Sequence, residues 1–121
     1  EAKSVGAEDT FSFDLTTQEE MNTELEKIAL VVQSRLVRYQ LKGRTITLKI
    51  KYHDFKQITR SQSFDEASDD LETIESTAKQ LLNSTDLLDK KVRLLGISLS
   101  NFNYPAIRTR TDEDSDQLKL F

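Results

Sequence analysis

The chain has 121 residues, 36% of them hydrophobic, with 17 Lys and Arg against 21 Asp and Glu for a net charge of -4; that suffices for one two-layer core, as a whole protein or as a piece of a longer one. It has no cysteine, which excludes disulfide, zinc-thiolate and cysteine-nucleophile chemistry and fits a reducing, cytoplasmic setting. No apolar run approaches the roughly 18 residues of a membrane span and no charged-then-apolar leader opens the chain, so a soluble protein without a membrane partner is expected.

The opening stretch SVGAEDTFSFDL places Val5, Ala7, Phe11, Phe13 and Leu15 at odd positions. Ser4, Gly6, Glu8, Thr10 and Ser12 alternate with them, the period of a half-buried strand. Spacing then becomes helical, with Met21, Leu25, Ile28, Val32, Leu36 and Tyr39 on one stripe. Thr17 and Glu20 have the spacing of a capping box, and Gly43 suits a left-handed stop. RTITLKIKY returns to period two, sending Ile46, Leu48, Ile50 and Tyr52 inward, and HDF makes the turn into a more polar strand, KQITRSQSF. A second helix is expected in SDDLETIESTAKQLLNS, burying Leu71, Ile74, Ala78, Leu81 and Leu82. Asp69 and Asp70 stand at its start, where carboxylates cap and complement the helix dipole. The last strand, VRLLGISLSNF, points Ile97 and Leu99 inward, with a bulge expected at Gly96.

The order is βαββαβ. One apolar stripe per helix and one apolar face per strand predict an α+β fold, a four-stranded sheet with both helices on the same side. The other face stays wet and carries Ser4, Thr10, Ser12, Thr45, Thr47, Lys49, Lys51, Thr59, Ser61, Ser98 and Ser100. Hydroxyls, lysines and backbone amides hold phosphate oxygens without reading bases.

Charge is segregated along the chain. Between Lys42 and Arg60 lie six basic residues (Lys42, Arg44, Lys49, Lys51, Lys56 and Arg60) against Asp54, while Asp65 to Asp89 holds eight acids against Lys79. Without the tail acids Asp112, Glu113, Asp114 and Asp116 and the tail Lys119, the body stands at -1. A total near neutral thus conceals one basic and one acidic region.

KSVGAEDTF, LKIKYHDFKQITRSQSF and KKVRLLGISLSNF together resemble the C-terminal little-finger domain of Y-family translesion DNA polymerases, over residues 3–102. Within the hairpin the resemblance rests on Lys49-Ile50-Lys51-Tyr52, one residue, Asp54-Phe55, three residues, then Thr59-Arg60. It implies a domain that lies against primer-template duplex and tunes lesion bypass, with the catalytic carboxylates and magnesium ions in a palm domain outside this chain. No catalytic residue and no cofactor are therefore expected here. It further implies phosphate contacts from the backbone around Ser4, Val5 and Gly6, from Thr59, Arg60 and Ser61, and from Arg93, beside Lys49, Lys51 and Ser98 on the wet face. Some relatives carry arginine where this chain has Leu94 and Ser98, which implies a thinner positive charge on the last strand.

Other constellations carry little chemistry. His53 beside Asp54 lacks a second histidine or cysteine for a metal shell, and three dispersed glycines make no phosphate loop. The competing reading is a βαββαβ interaction or regulatory module with no nucleic-acid role, its basic strands only a solvated face. Sequence-tolerant duplex binding by a monomer is expected, with affinity falling as salt rises for about three to five phosphates neutralised.

The chain closes on QLKLF after the stretch TRTDEDSD. The pentapeptide resembles the peptide by which bacterial members of the same family bind the sliding clamp, Gln-Leu-x-Leu-Phe, with Lys119 at the variable place. On that reading residues 1–105 form the DNA-binding domain, 106–116 a flexible acidic linker, and 117–121 the clamp-binding peptide. Leu120 and Phe121 then insert into an apolar cleft and Gln117 sets register through its amide, with Leu118 as the remaining matched position.

Overall fold

In a computed structural model of the chain, residues 4–85 and 91–102 are described. The elements are β1 (Ser4–Leu15), α1 (Gln18–Tyr39), β2 (Gly43–Tyr52), β3 (Gln57–Ser68), α2 (Leu71–Asn83) and β4 (Val92–Phe102). The strands form one antiparallel sheet in the order β1-β4-β2-β3. Helix α1 packs on β1 and β4, and α2 on β2 and β3, so both cover the same face. The α+β, βαββαβ arrangement expected from periodicity is therefore the observed one.

Local chemistry explains the boundaries. Thr17 caps α1: its hydroxyl accepts the Glu20 N–H at 3.1 Å, and Glu20 Oε1 accepts the Thr17 and Thr16 N–H groups at 3.2 and 3.0 Å. These bonds, Thr16 first, hold the Glu20 carboxyl below the usual carboxylate range. Asp70 caps α2 through the Thr73 N–H at 2.9 Å. Lys79 of α2 meets Glu26 of α1 at 2.6 Å, and that bond raises the lysine's pKa, with Glu75 adding to it.

The core takes Met21, Leu25, Ile28, Val32 and Leu36 from α1 and Ile74, Ala78, Leu81 and Leu82 from α2. They close over Ile46, Leu48 and Ile50 of β2 and Leu95, Ile97 and Leu99 of β4. Burial of this order, at about 25 cal/mol per Å² of apolar surface, is the main term favouring the fold.

Four expectations are corrected. Helix α1 stops at Gln40, which takes the left-handed conformation (φ 57°) and donates to the Leu36 and Val37 carbonyls. Gly43, expected there, is buried at the start of β2 without a positive φ; a Cβ on it would sit 2.9 Å from the Ser100 carbonyl oxygen. Tyr39, expected on the buried stripe, is the last helical residue and 58% exposed. Phe13, expected inward, is 86% exposed, because the β1 ladder shifts register between Thr10 and Leu15 and the alternation fails there.

The fourth concerns β4. Pairing runs without a break through Gly96, which faces Glu8 on one side and Lys49 on the other. The irregularity lies at Arg93: Leu94 pairs with Lys51 and Val92 with Tyr52, leaving Arg93 as the extra residue. The β1 ladder breaks opposite the same point. A bulge between two partners bends the strand and re-aims its side chain.

Candidate nucleic-acid interface

Partners across an antiparallel ladder share a face, so the register lays out the surface away from the helices as four rows. Ser4, Ser100, Thr45 and Ser63 form the first, and Gly6, Ser98, Thr47 and Ser61 the second. Glu8, Gly96, Lys49 and Thr59 follow, then Thr10, Leu94, Lys51 and Gln57. At roughly 4.8 Å per strand this makes a face about 14 Å across, hydroxyl-rich at one end and cationic at the other.

The hydroxyl end is internally tied. Thr45 Oγ1 and Ser63 Oγ lie 2.9 Å apart, and Asn101 Nδ2 donates to Thr45 Oγ1 at 2.6 Å. In the third row, Lys49 reaches across Gly96 to Glu8, Nζ to Oε1 at 2.8 Å. Gly96 leaves the path open, since a Cβ there would lie 3.0 Å from the Glu8 Cβ. Lys49 therefore faces outward as expected, but with its charge matched by a carboxylate.

At the far corner Phe55 occupies the hairpin turn with φ 70° and 64% exposure. Its ring lies 4.5 Å from the Arg93 guanidinium carbon and 5.8 Å from Lys51 Nζ. Among the described residues neither cation has a carboxylate within salt-bridge distance.

β1 is a sheet edge. Arg35 of α1 donates through Nη1 to the Gly6 carbonyl, so Gly6 turns its backbone groups away from β4. The N–H of a strand residue lies on the same side as its carbonyl, which puts the Gly6 amide on the open edge, with those of Ser4 and Glu8 by alternation. A hollow of about 600 Å³ runs along this edge between Lys27, Val31 and Arg35 of α1 and Lys49 and Ser98 of the sheet, with Glu8 and Asp9 also on its wall.

The structure thus gathers Ser4, Gly6, Lys49, Lys51, Thr59, Ser61 and Ser98 on one face, with Arg93 at its corner. It does not gather all the candidates. Val5 is buried against Leu99, its backbone within the β1–β4 ladder. Arg60 pairs with the buried Leu48 and so projects on the helix side of β3, where its Nη1 donates to the Thr59 carbonyl at 2.8 Å. Gln117, Leu118, Leu120 and Phe121, and the acidic stretch before them, lie outside the described residues.

Sequence reasoning missed Glu8 and Phe55. Glu8 shares the parity of Ser4 and Gly6, the signal that would have put it beside Lys49. Phe55 was read only as part of the turn and of the hairpin motif, with no role of its own. Among the described residues no three His, Cys, Asp or Glu side chains are grouped as metal ligands, and no helix is long and apolar enough to cross a membrane.

Residues 2–120 match the C-terminal domain of the impB/mucB/samB family. DNA polymerase IV of Alkalilimnicola ehrlichii is 43% identical over 127 aligned positions covering 100% of this chain and 32% of the relative. DNA polymerase IV of Clostridium perfringens (strain 13) is 42% identical over 118 positions, covering 98% and 32%. The chain thus spans about a third of the length of the curated relatives it matches. Among solved structures, the little finger domain of PolIV in complex with the beta-clamp processivity factor superimposes with a TM-score of 0.70 at 21% identity, covering 89% of this chain and 96% of that one. DinB of Sulfolobus solfataricus gives 0.70 at 16% identity, covering 80% of this chain and 28% of that one.

Proposed function

The chain belongs to the impB/mucB/samB family as its C-terminal domain, with the little-finger fold of Y-family DNA polymerases; from that premise we propose that it serves a translesion enzyme of the DNA polymerase IV type as a non-catalytic module that holds duplex primer-template DNA and recruits the bacterial sliding clamp. Polymerisation, with its magnesium ions, is assigned to the part of the parent protein outside this chain. The module works in the cytoplasm as a monomer.

The observation that supports DNA holding best is the sheet face: rows of hydroxyls ending in two cations with no described carboxylate partner. These groups suit phosphate oxygens. The rows offer no recognition helix and no cluster of Asn, Gln and Arg for bidentate base contacts, so binding is sequence-tolerant. The face holds two free cations rather than the larger set expected, because Lys49 is paired with Glu8 and Arg60 points to the other side. Two phosphates neutralised give a loss of about 12-fold in duplex affinity between 50 and 200 mM salt. Fluorescence anisotropy with a labelled duplex tests this, and absence of binding at 50 mM would overturn it.

Clamp recruitment rests on Gln117, Leu118, Leu120 and Phe121. Burial of Leu120 and Phe121 at roughly 1.5–3 kcal/mol each supplies the apolar part of that binding, offset in part by the cost of ordering the peptide. Removal of residues 117–121 abolishes clamp binding on this reading while leaving duplex affinity unchanged; retention of clamp affinity would refute it.

A further inference from the structure

The β2–β3 turn holds a phenylalanine where the backbone favours glycine. Tyr52 and Lys56 close the loop through the Tyr52 N–H and Lys56 carbonyl at 2.8 Å, and the Phe55 N–H donates to the Tyr52 carbonyl at 2.9 Å. His53, Asp54 and Phe55 are its three residues, and the third is left-handed, with φ 70°. In three-residue hairpin loops that position is ordinarily Gly, and a bulky side chain there is a genuine outlier. Packing does not account for it, since Phe55 is 64% exposed.

Two independent features converge on the ring. The β4 bulge frees Arg93 from the alternation and brings its guanidinium carbon 4.5 Å from the ring centroid. Lys51, on the neighbouring strand, lies 5.8 Å from the same centroid. The one carboxylate in the turn, Asp54, is engaged locally, its Oδ1 accepting the Lys56 N–H at 3.1 Å. One exposed ring thus restrains two long cationic side chains without neutralising either.

We infer that Phe55 is a positioning residue for phosphate binding, holding Lys51 and Arg93 at fixed points at the end of the sheet face so that a duplex meets them already ordered. The inference rests on the DNA-binding reading above and adds to it a residue that need not touch DNA. The ring attracts each cation through its quadrupole, and restraint before binding removes the loss of side-chain freedom that binding would otherwise impose.

The test is a set of Phe55 variants of the full chain, titrated with duplex at two salt concentrations and melted in parallel. Phe55→Gly suits the left-handed backbone, so it should melt no lower than the native chain yet bind duplex about ten-fold more weakly. Its salt slope should be unchanged, since no charge is lost, whereas Arg93→Ala should reduce the slope by about 0.9. Phe55→Tyr and Phe55→Trp should restore affinity. In the native chain the Arg93 side-chain protons should show a ring-current shift that Phe55→Gly removes. Equal binding by native and Phe55→Gly chains overturns the inference alone, as does an equal loss in a Lys51→Ala/Arg93→Ala background. A native chain that binds no duplex at low salt overturns the DNA-binding reading and the inference with it.

Discussion

Converting Glu8 to Gln should strengthen duplex binding, although no contact with DNA is added. Glu8 and Lys49 sit on β1 and β2, two strand spacings apart, and meet over the bare Cα of Gly96 at 2.8 Å. Their side chains are 51% and 35% exposed, so the pair contributes at most about 1 kcal/mol to the fold, and less in salt. For a phosphate, however, the pair presents no net charge, and approach to Lys49 brings it against a carboxylate. Glu8→Gln frees one cation, which adds about 0.9 to the salt slope and changes the relative affinity about 3.5-fold over a fourfold salt range. The expected gain is about five-fold at 50 mM salt, falling to about 1.5-fold at 200 mM. Lys49→Ala should lose a similar factor, because it leaves the carboxylate bare. The double variant Glu8→Gln/Lys49→Ala, neutral like the native pair, should return near native affinity and slope. Anisotropy titrations at the two salts measure all four chains. If Glu8→Gln left affinity and slope at their native values, the ion pair would not limit the face.

Three further outcomes test the scaffold. Gly6→Ala places a Cβ 2.7 Å from both the Ile97 carbonyl oxygen and the Ser98 Cβ; it should cost about 1–3 kcal/mol, read as a lowered Tm. Gln40→Gly relieves the left-handed φ of 57° that ends α1 and should stabilise by about 0.5–1 kcal/mol in denaturant titration, the relief exceeding glycine's own entropy cost. Glu20 is held below the usual carboxylate range, first by the Thr16 N–H and then by that of Thr17, so its contribution is present at neutral pH and is lost as pH falls through its folded pKa. Glu20→Gln should therefore melt below the native chain at pH 7, with the gap closing in acid below about pH 4.

How far the fold was legible depends on what each element answers to. β2 was read correctly at Ile46, Leu48, Ile50 and Tyr52, all buried, because its alternation continues unbroken from Thr45 to Tyr52. Both helix starts were legible because capping is chemistry within a few residues, at Thr17 with Glu20 and at Asp70 with Thr73. The bulge was not. A smallest-residue rule pointed to Gly96, but a bulge is a mismatch between a strand and its partners, and Arg93 carries no mark of one in its own sequence. The left-handed Gln40 was hidden by the same preference for glycine. The facing of Arg60 was legible: it follows Ile58 by two in a strand whose Ile58 pairs with the buried Ile50. Reading the hairpin as a motif, rather than by parity, passed over it.

The face that results has a modest charge, and this bears on how the two proposed contacts work together. Leu94 and Ser98 stand on the outer rows where the resemblance implies arginines in some relatives, and Lys49 is matched by Glu8. Duplex affinity from two free cations alone would be small at cellular salt. Fifteen peptide units separate Phe102 from Gln117, a reach of at most about 50 Å. A clamp threaded on the same duplex and holding the terminal peptide would convert DNA capture into an intramolecular step at an effective concentration in about the millimolar range. A stronger face would hold the polymerase on DNA without the clamp; a weak one makes residence conditional on it. Glu8→Gln should accordingly reduce the dependence of DNA residence on residues 117–121. That is measured by comparing dissociation from clamp-loaded duplex with and without the terminal peptide in the Glu8→Gln and native backgrounds. Equal dependence in both backgrounds would separate the charge of the face from the work of the tail.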